Sequence, residues 1–518
     1  MSQRSIGSPK NKKINQNSND FYEMENEGEP LIPQGGLVRD GMSLINIAAY
    51  GVAHVYNDFC ATLWFMYLLY FLTYPVGLGP GNASLALLSG QIADGLATNI
   101  VGLLIDKTNT RIGKNKPWYI FGFVLVLPTF ILTFNTCILC DLFCDKDNDD
   151  RPTCKGLEMA YFIILPALFN IGWAAVQIST MAVVVSLSLS QGRRDRLVSL
   201  RNGFTYASNL FALVVAIIFI LLVSNQIWTF RFLAWTLTAI GVPLCLFFVF
   251  LVPEVRLAKE AISYDKEYRK VNGEKEDNTG EEESESEEHS EESSDKTKAQ
   301  KTWKDWLKSG AFYVHAIVYT FTRMAVNVTM TLTPFYLIHV LGFKSEEGEP
   351  APPEIATVPL VSYSCSMIFS LLFYNRLVSA FGNRLHPLFI GTVLVVGSSI
   401  PFFFMKPSFS WLVYVTVGFQ GVGLAIMLNI ATSLISDVIG NDDQSSAFVY
   451  GTYSLCDKFV NGFLLVAIGN TVIENATWLR WLSSGLPLVS SIATFLFAMI
   501  GKIYYADKMR KVSVKNRK

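Results

Sequence analysis

The sequence predicts an all-α membrane protein of twelve spans, and three observations predict it. Apolar residues make up 51% of the 518 and charged residues only 16%, where a soluble domain carries about a quarter charged residues. The apolar residues come in blocks near the ~20 that a helix needs to cross a bilayer. The blocks fall into two sets of six with a polar stretch between them, the pattern of a transporter built from two helical bundles. Signatures of soluble enzymes (a P-loop, H-E-x-x-H, a nucleophile elbow) do not occur. The reading is a protein that is not an enzyme, without cofactor or metal, whose partners are membrane lipid and a small solute rather than nucleic acid.

Residues 1–43 come first, a polar tail rich in Asn, Ser, Glu and Gly, without a cleavable signal peptide and expected to be disordered. The N-terminal bundle, 44–253, holds segments at about 44–73, 83–105, 117–140, 157–189, 199–224 and 229–253. Residues 254–309 are a polar linker whose run 274–295, "EKEDNTGEEESESEEHSEESSD", reads as a solvated acidic linker. The C-terminal bundle, 310–502, holds segments at about 310–342, 354–378, 386–405, 408–437, 445–470 and 477–502. A basic tail, 503–518, closes the chain.

Orientation follows from Lys and Arg in short loops. Loop 2–3 carries Lys107, Arg111, Lys114 and Lys116, loop 4–5 carries Arg193, Arg194 and Arg196, and the C-terminus carries Lys508, Arg510, Lys511, Lys515, Arg517 and Lys518. Both termini are therefore expected in the cytosol. Two glycosylation sequons agree: Asn82-Ala-Ser84 in loop 1–2 and Asn475-Ala-Thr477 in loop 11–12 fall on the opposite side. Asn327-Val-Thr329 falls inside segment 7 and reads as a chance match. Cys137, Cys140, Cys144 and Cys154 crowd the end of segment 3 and loop 3–4. Disulfides in an oxidising compartment and unpaired thiols are both open readings, with the connectivity undetermined. Cys60, Cys245, Cys365 and Cys456 lie in apolar segments and are expected to be packing residues.

An ionisable group at mid-membrane costs a few kcal/mol and usually faces the protein interior or a cavity. The candidates are Asp58 in segment 1, Asp94 in segment 2, Arg201 opening segment 5, Arg323 in segment 7, and Asp457 with Lys458 in segment 11. One reading is buried ion pairs that hold the bundles together; the other is a central polar cavity. His54 and Asp58 are i and i+4 and share a face, as do Asp94 and Thr98. Asp457 and Lys458 point about 100° apart, so they cannot both face one cavity. Lys458 and Asn461, i and i+3, could line it together.

"GLLIDKTNTRIGKNKPW", Gly102 to Trp118, resembles the G-x3-D-[RK]-T-x2-R-x-G-[KR]-x-[KR]-P-W signature of the glycoside–pentoside–hexuronide:cation symporters, a branch of the major facilitator superfamily. The resemblance implies the twelve-helix fold of two bundles with pseudo-two-fold symmetry. It also implies a cytosolic latch at Asp106, Lys107, Arg111, Gly113, Lys114 and Lys116. "HVYNDFCATLWFMYLLY", "GQIADGLATNIVG" and "SSAFVYGTYSLCDKFVNG" are similar to a vertebrate subgroup of the superfamily, cysteine importers of lysosomes and melanosomes that affect pigmentation. By the resemblance to the melibiose-type symporters of the first branch, Asp58 falls on a substrate-binding aspartate, Arg201 and Lys458 on helix 5 and helix 11 bases, and Asp94 on the first carboxylate of a cation site. The second carboxylate of that site is Thr98 here, and its helix 4 aspartate is Gln177. Sodium coupling is thereby in doubt, and Asp94 reads as a proton-titrating or structural acid, with Thr98, His54 and Asp457 as further coupling candidates.

Free cysteine is a zwitterion, so its ammonium calls for an acid and its carboxylate for a base. The expectation is Asp58 for the ammonium, Arg201 or Lys458 for the carboxylate with Arg323 a weaker candidate, and Asn57, Gln177 and Asn461 for neutral contacts. "EGEPLI" fits the acidic dileucine pattern [DE]-x3-L-[LI] through Glu27, Leu31 and Ile32, which implies clathrin-adaptor recognition and delivery to lysosomes. A monomeric transporter is expected. The competing readings are a sugar–cation symporter of the plasma membrane and a non-transporting scaffold or receptor with the same fold.

Overall fold

Hydrocarbon offers the backbone no hydrogen-bonding partner, so a chain with this pattern must satisfy its N–H and C=O groups within helices. A computed structural model describes residues 41–145, 153–189, 191–271, 303–343, 350–381, 383–439, 443–471 and 473–515. The dileucine stretch at Glu27, Leu31 and Ile32, the acidic run, and the side chain of Asp106 lie outside the described residues.

The helices run in order α1 (Leu44–Val52), α2 (Val55–Met66), α3 (Leu68–Thr73), α4 (Gly79–Lys107), α5 (Lys116–Thr133), α6 (Ile138–Phe143), α7 (Lys155–Leu187), α8 (Gln191–Leu222) and α9 (Gln226–Leu251). After them come α10 (Glu254–Val271), α11 (Trp303–Leu307), α12 (Gly310–His339), α13 (Glu354–Leu372), α14 (Tyr374–Phe381), α15 (Leu385–Phe404), α16 (Leu412–Ile439), α17 (Asp443–Thr471) and α18 (Ala476–Lys515). The first span is broken: α1 to α3 make one crossing in three pieces. α1 starts at a capping box in which the Ser43 side chain and Asn46 satisfy each other's backbone.

Nine helices among the described residues are long and apolar enough to cross a membrane on their own. The three crossings that fall short are α1–α3, α12 and α17. The latter two are 30 and 29 residues long, so composition and not length disqualifies them. They are the segments that carry His54 and Asp58, Arg323, and Asp457 and Lys458. A helix with such residues stays in the membrane by facing protein rather than lipid. The total is twelve crossings in two bundles.

Alternating crossings put both ends of the bundle on one side, called here the terminal face; the other is the distal face. The first-half bundle is packed through α4, α5 and α7, and the second through α12, α15, α16 and α18. The halves meet mainly where α4 crosses α17 and where α8 meets α13. Glycines permit the α4–α17 approach: a Cβ on Gly95 would sit 2.7 Å from Leu455 Cδ1, and one on Gly462 2.7 Å from Leu88 Cδ1. On the distal side the ends of α3 and α12 close together. Tyr74 Oη bonds His339 Nε2, and the Tyr74 and Phe335 rings lie 5.7 Å apart.

Several expectations are corrected. Segment 5 begins at Gln191, so Arg201 lies about three turns inside α8 rather than opening it. Segment 8 breaks at Phe373 into α13 and α14. Cys137 pairs with Cys140 and Cys144 with Cys154, which resolves the connectivity left open. Cys60 and Cys245 are buried, but Cys456 is exposed and is not a packing residue. Asn82 is exposed in the first turn of α4, while Ser84 of its sequon is fully buried and donates to Pro80 O at 2.8 Å. Asn475 caps α18, its Oδ1 accepting from the Thr477 and Trp478 amides at 3.0 and 3.3 Å.

Candidate functional site

A cavity of about 570 Å³ lies between the two halves. Its wall includes one acid, Asp58, and one base, Arg323, from opposite bundles, with Gln177, Thr205, Asn327 and Tyr363 among the groups around them. Asn202 and Thr432 on the wall are exposed and lie in the parts of α8 and α16 nearest the terminal face. The mouth is therefore on that side.

Each of the two charges is held from behind. His54 Nδ1 lies 2.8 Å from Asp58 Oδ1, and the Thr205 hydroxyl donates to Asp58 Oδ2 at 3.0 Å. Asn57 Nδ2 lies 3.3 Å from His54 Nε2 and donates to Trp173 O at 3.2 Å. Across the cavity, Arg323 Nε donates to Asp457 Oδ2 at 3.1 Å, and Asn461 Nδ2 donates to Asp457 Oδ1 at 2.5 Å. Asp457 is almost wholly buried, whereas Arg323 keeps 23% of its side chain exposed. A guanidinium has five N–H donors in a rigid fork, so Asp457 occupies one edge and leaves others for the cavity.

The remaining charges meet where the bundles cross. Lys458 Nζ pairs with Asp94 Oδ2, both side chains buried, and Thr98 donates to Asp94 Oδ1 at 3.2 Å. The same ammonium lies 6.0 Å from the Trp173 ring centroid, a cation–π range. The neighbours Asp457 and Lys458 thus diverge as helical geometry requires, one within its own bundle and one across the interface.

The placement differs from the expected one. Asp58, Gln177 and Arg323 are on the cavity wall; Arg201, Lys458, Asn461 and Asn57 are not. Asp58 is held by His54 and Thr205, not by Lys458 or Arg201. An ammonium already sits on Asp94, where the resemblance implied a cation. The basic loop meets a carboxylate of its own bundle. Glu254, at the end of the sixth crossing, accepts from the Lys114, Asn115 and Lys116 amides at 2.9–3.2 Å and from Asn115 Nδ2 at 2.8 Å. Gly113 has φ +119 and a Cβ there would strike the Glu254 carboxylate, so glycine is needed on both counts. Lys116 Nζ donates to Val252 O at 2.6 Å, while Lys107, Arg111 and Lys114 stay exposed.

Sequence reasoning missed Thr205, Tyr363 and Glu254. Thr205 sits one turn from Arg201 and had a periodicity signal; Glu254 and Tyr363 had none, because the partners of Glu254 are 138 to 140 residues away and that of Tyr363, Met330, is on another helix 33 residues away.

The Major Facilitator Superfamily sequence pattern matches residues 50–456. "Major facilitator superfamily domain-containing protein 12" of Mus musculus is 29% identical over 446 residues, 82% of this chain and 85% of that protein. The protein of the same name from Homo sapiens is 27% identical over 82% of this chain and 85% of its own length. An uncharacterized symporter of Synechocystis is 22% identical over 82% and 84%. Among solved structures, the xylose transporter XylE from E. coli in a partially occluded inward-open form gives a TM-score of 0.59 at 13% identity, covering 88% of this chain and 97% of that one. A bacterial homologue of the human drug peptide transporters gives 0.56 at 11% identity, with coverage of 90% and 99%.

Proposed function

This chain belongs to the major facilitator superfamily and is a multi-pass membrane transporter, and from that premise we propose that it moves cysteine, or a related small amino acid, across the lysosomal and melanosomal membrane into the lumen. The observation that carries the substrate class is the pair of opposite charges, Asp58 and Arg323, facing one cavity from the two halves. A zwitterion presents an ammonium and a carboxylate about one Cα apart, and this wall presents a partner for each. A neutral sugar could hydrogen-bond both groups through its hydroxyls but would bring a counter-charge to neither. Cysteine within that class rests on the resemblance of the segments around Asp58, Asp94 and Lys458 to cysteine importers. The buried Lys458 ammonium on Asp94 argues against a sodium ion there, because two cations would share one carboxylate. An acidic lumen would drive a proton symporter outward, so net import would run by antiport, down a substrate gradient, or through lumenal oxidation of cysteine to cystine.

The terminal face is assigned to the cytosol on the positive charges of its loops. The test of activity is uptake of labelled cysteine against labelled melibiose by vesicles bearing the protein. Cysteine accumulation above an empty-vesicle control is expected; melibiose uptake without cysteine uptake would replace this reading with the sugar one, and uptake of neither would leave the scaffold. Location is assigned to Glu27, Leu31 and Ile32. Leu31→Ala with Ile32→Ala should carry the folded protein to the cell surface, and microscopy that still finds it in lysosomes would remove that assignment.

A further inference from the structure

We infer that the blind end of the cavity, toward the distal face, is a subsite for the substrate's side chain, shaped for a small neutral apolar or sulfur-bearing group. This rests on the zwitterion reading and adds where the third part of the amino acid goes. Beyond the level of Asp58 and Arg323, the wall is largely apolar, with Phe65, Met66, Met330, Val358, Pro359 and Val417, and its polar pair Thr62 and Asn209 bond each other at 2.9 Å. The cavity ends there because α2 and α12 touch: the Thr331 hydroxyl donates to Phe65 O at 3.4 Å. Thr333, on the same wall, donates its hydroxyl to Thr329 O of its own helix at 2.5 Å. Toward the mouth the wall turns polar, with Asn202, Asn429 and Thr432.

A zwitterion held at Asp58 and Arg323 can send its side chain in one of two directions. At the mouth it would remain wet and gain little. At the blind end an apolar group is removed from water, which is favourable, whereas a charged group would lose its water without finding a counter-ion. Two thioethers and an aromatic ring make a polarisable lining well suited to a thiol. Tyr363 also lines the cavity, and its hydroxyl donates to Met330 Sδ at 3.5 Å. Met330, tied to Tyr363, therefore sets how long a side chain can be.

The test is inhibition of labelled cysteine uptake into vesicles by unlabelled alanine, leucine, methionine, lysine, glutamate and melibiose. With the unaltered protein, neutral amino acids should compete while lysine, glutamate and melibiose do not. Met330→Ala should raise the effectiveness of leucine relative to cysteine by about tenfold or more, the usual worth of added room in an apolar pocket. Volume-conserving Met330→Leu should keep the original order; if Met330→Ala does not fold, Val358→Ala is read in its place. An unchanged order of competitors in the enlarged variant, with cysteine uptake intact, would overturn the subsite and spare the zwitterion reading. Competition by lysine or glutamate equal to that of cysteine would also overturn it. If the unaltered protein takes up no amino acid, the zwitterion reading fails and the subsite with it.

Discussion

Lys458→Met is expected to leave little folded protein. The substitution strips Asp94 of a buried counter-ion at the point where α4 and α17 cross. Thr98 would remain as its one neutral hydrogen-bond donor at 3.2 Å. Removing one member of a buried pair costs about 3–5 kcal/mol, because the other charge is left uncompensated. That is a large part of a typical stability of about 5–15 kcal/mol. Asp94→Asn should act similarly by stranding the ammonium. The double variant Asp94→Leu with Lys458→Met should recover most of the abundance, since apolar replacement of a whole buried pair is often neutral. Detergent-solubilised protein measured by size exclusion and by its thermal midpoint would report all three. A Lys458→Met protein with an unshifted midpoint would contradict the clamp. So would a double variant no better than either single one. The rescuing partner of Lys458 is Asp94; Asp58, whose partners are His54 and Thr205, should give no rescue.

Asp58→Asn is expected to behave in the opposite way, with near-normal abundance and transport reduced by tenfold to over a hundredfold. The side chain keeps its shape, and Asn can still bond His54 and Thr205, the groups that hold Asp58 at 2.8 and 3.0 Å. What it loses is a charge-assisted hydrogen bond to the substrate ammonium, worth about 1.5–3 kcal/mol. Vesicle uptake normalised to protein amount is the measurement. Full cysteine transport by Asp58→Asn would remove Asp58 from the substrate site. The same preparation bears on coupling. Asp58 is on the cavity wall with His54 2.8 Å behind it, whereas Asp94 is sealed under Lys458, so we assign proton exchange to the former pair. A pH dependence of uptake that survives unchanged in Asp58→Asn would overturn that.

The fold was legible because its cause is local in sequence. Blocks of ~20 apolar residues must become spanning helices wherever they occur in a membrane chain, and the six-plus-six grouping shows without any contact map. The roster of site residues was partly legible for the same reason. An ionised group in an apolar block stands out, and of the intramembrane charges singled out from the sequence all but Arg201 are buried or on the cavity wall. The break of the first crossing at Ala53 and His54 was not legible, since no proline marks it.

What the sequence by itself determined is therefore that this is a twelve-span transporter whose few intramembrane charges had to find partners or a cavity. Which partner each one found only the tertiary structure decided. Asp94 took Lys458, Asp457 took Arg323 and Asp58 took His54. Arg323, ranked below Arg201 and Lys458 from sequence, is the base on the cavity wall. The physical reason is that Coulomb attraction between acids and bases is nearly the same for any pairing of equal separation. The choice among pairings is made by which helices cross and at what depth, and helix crossings are set by packing between residues hundreds of positions apart.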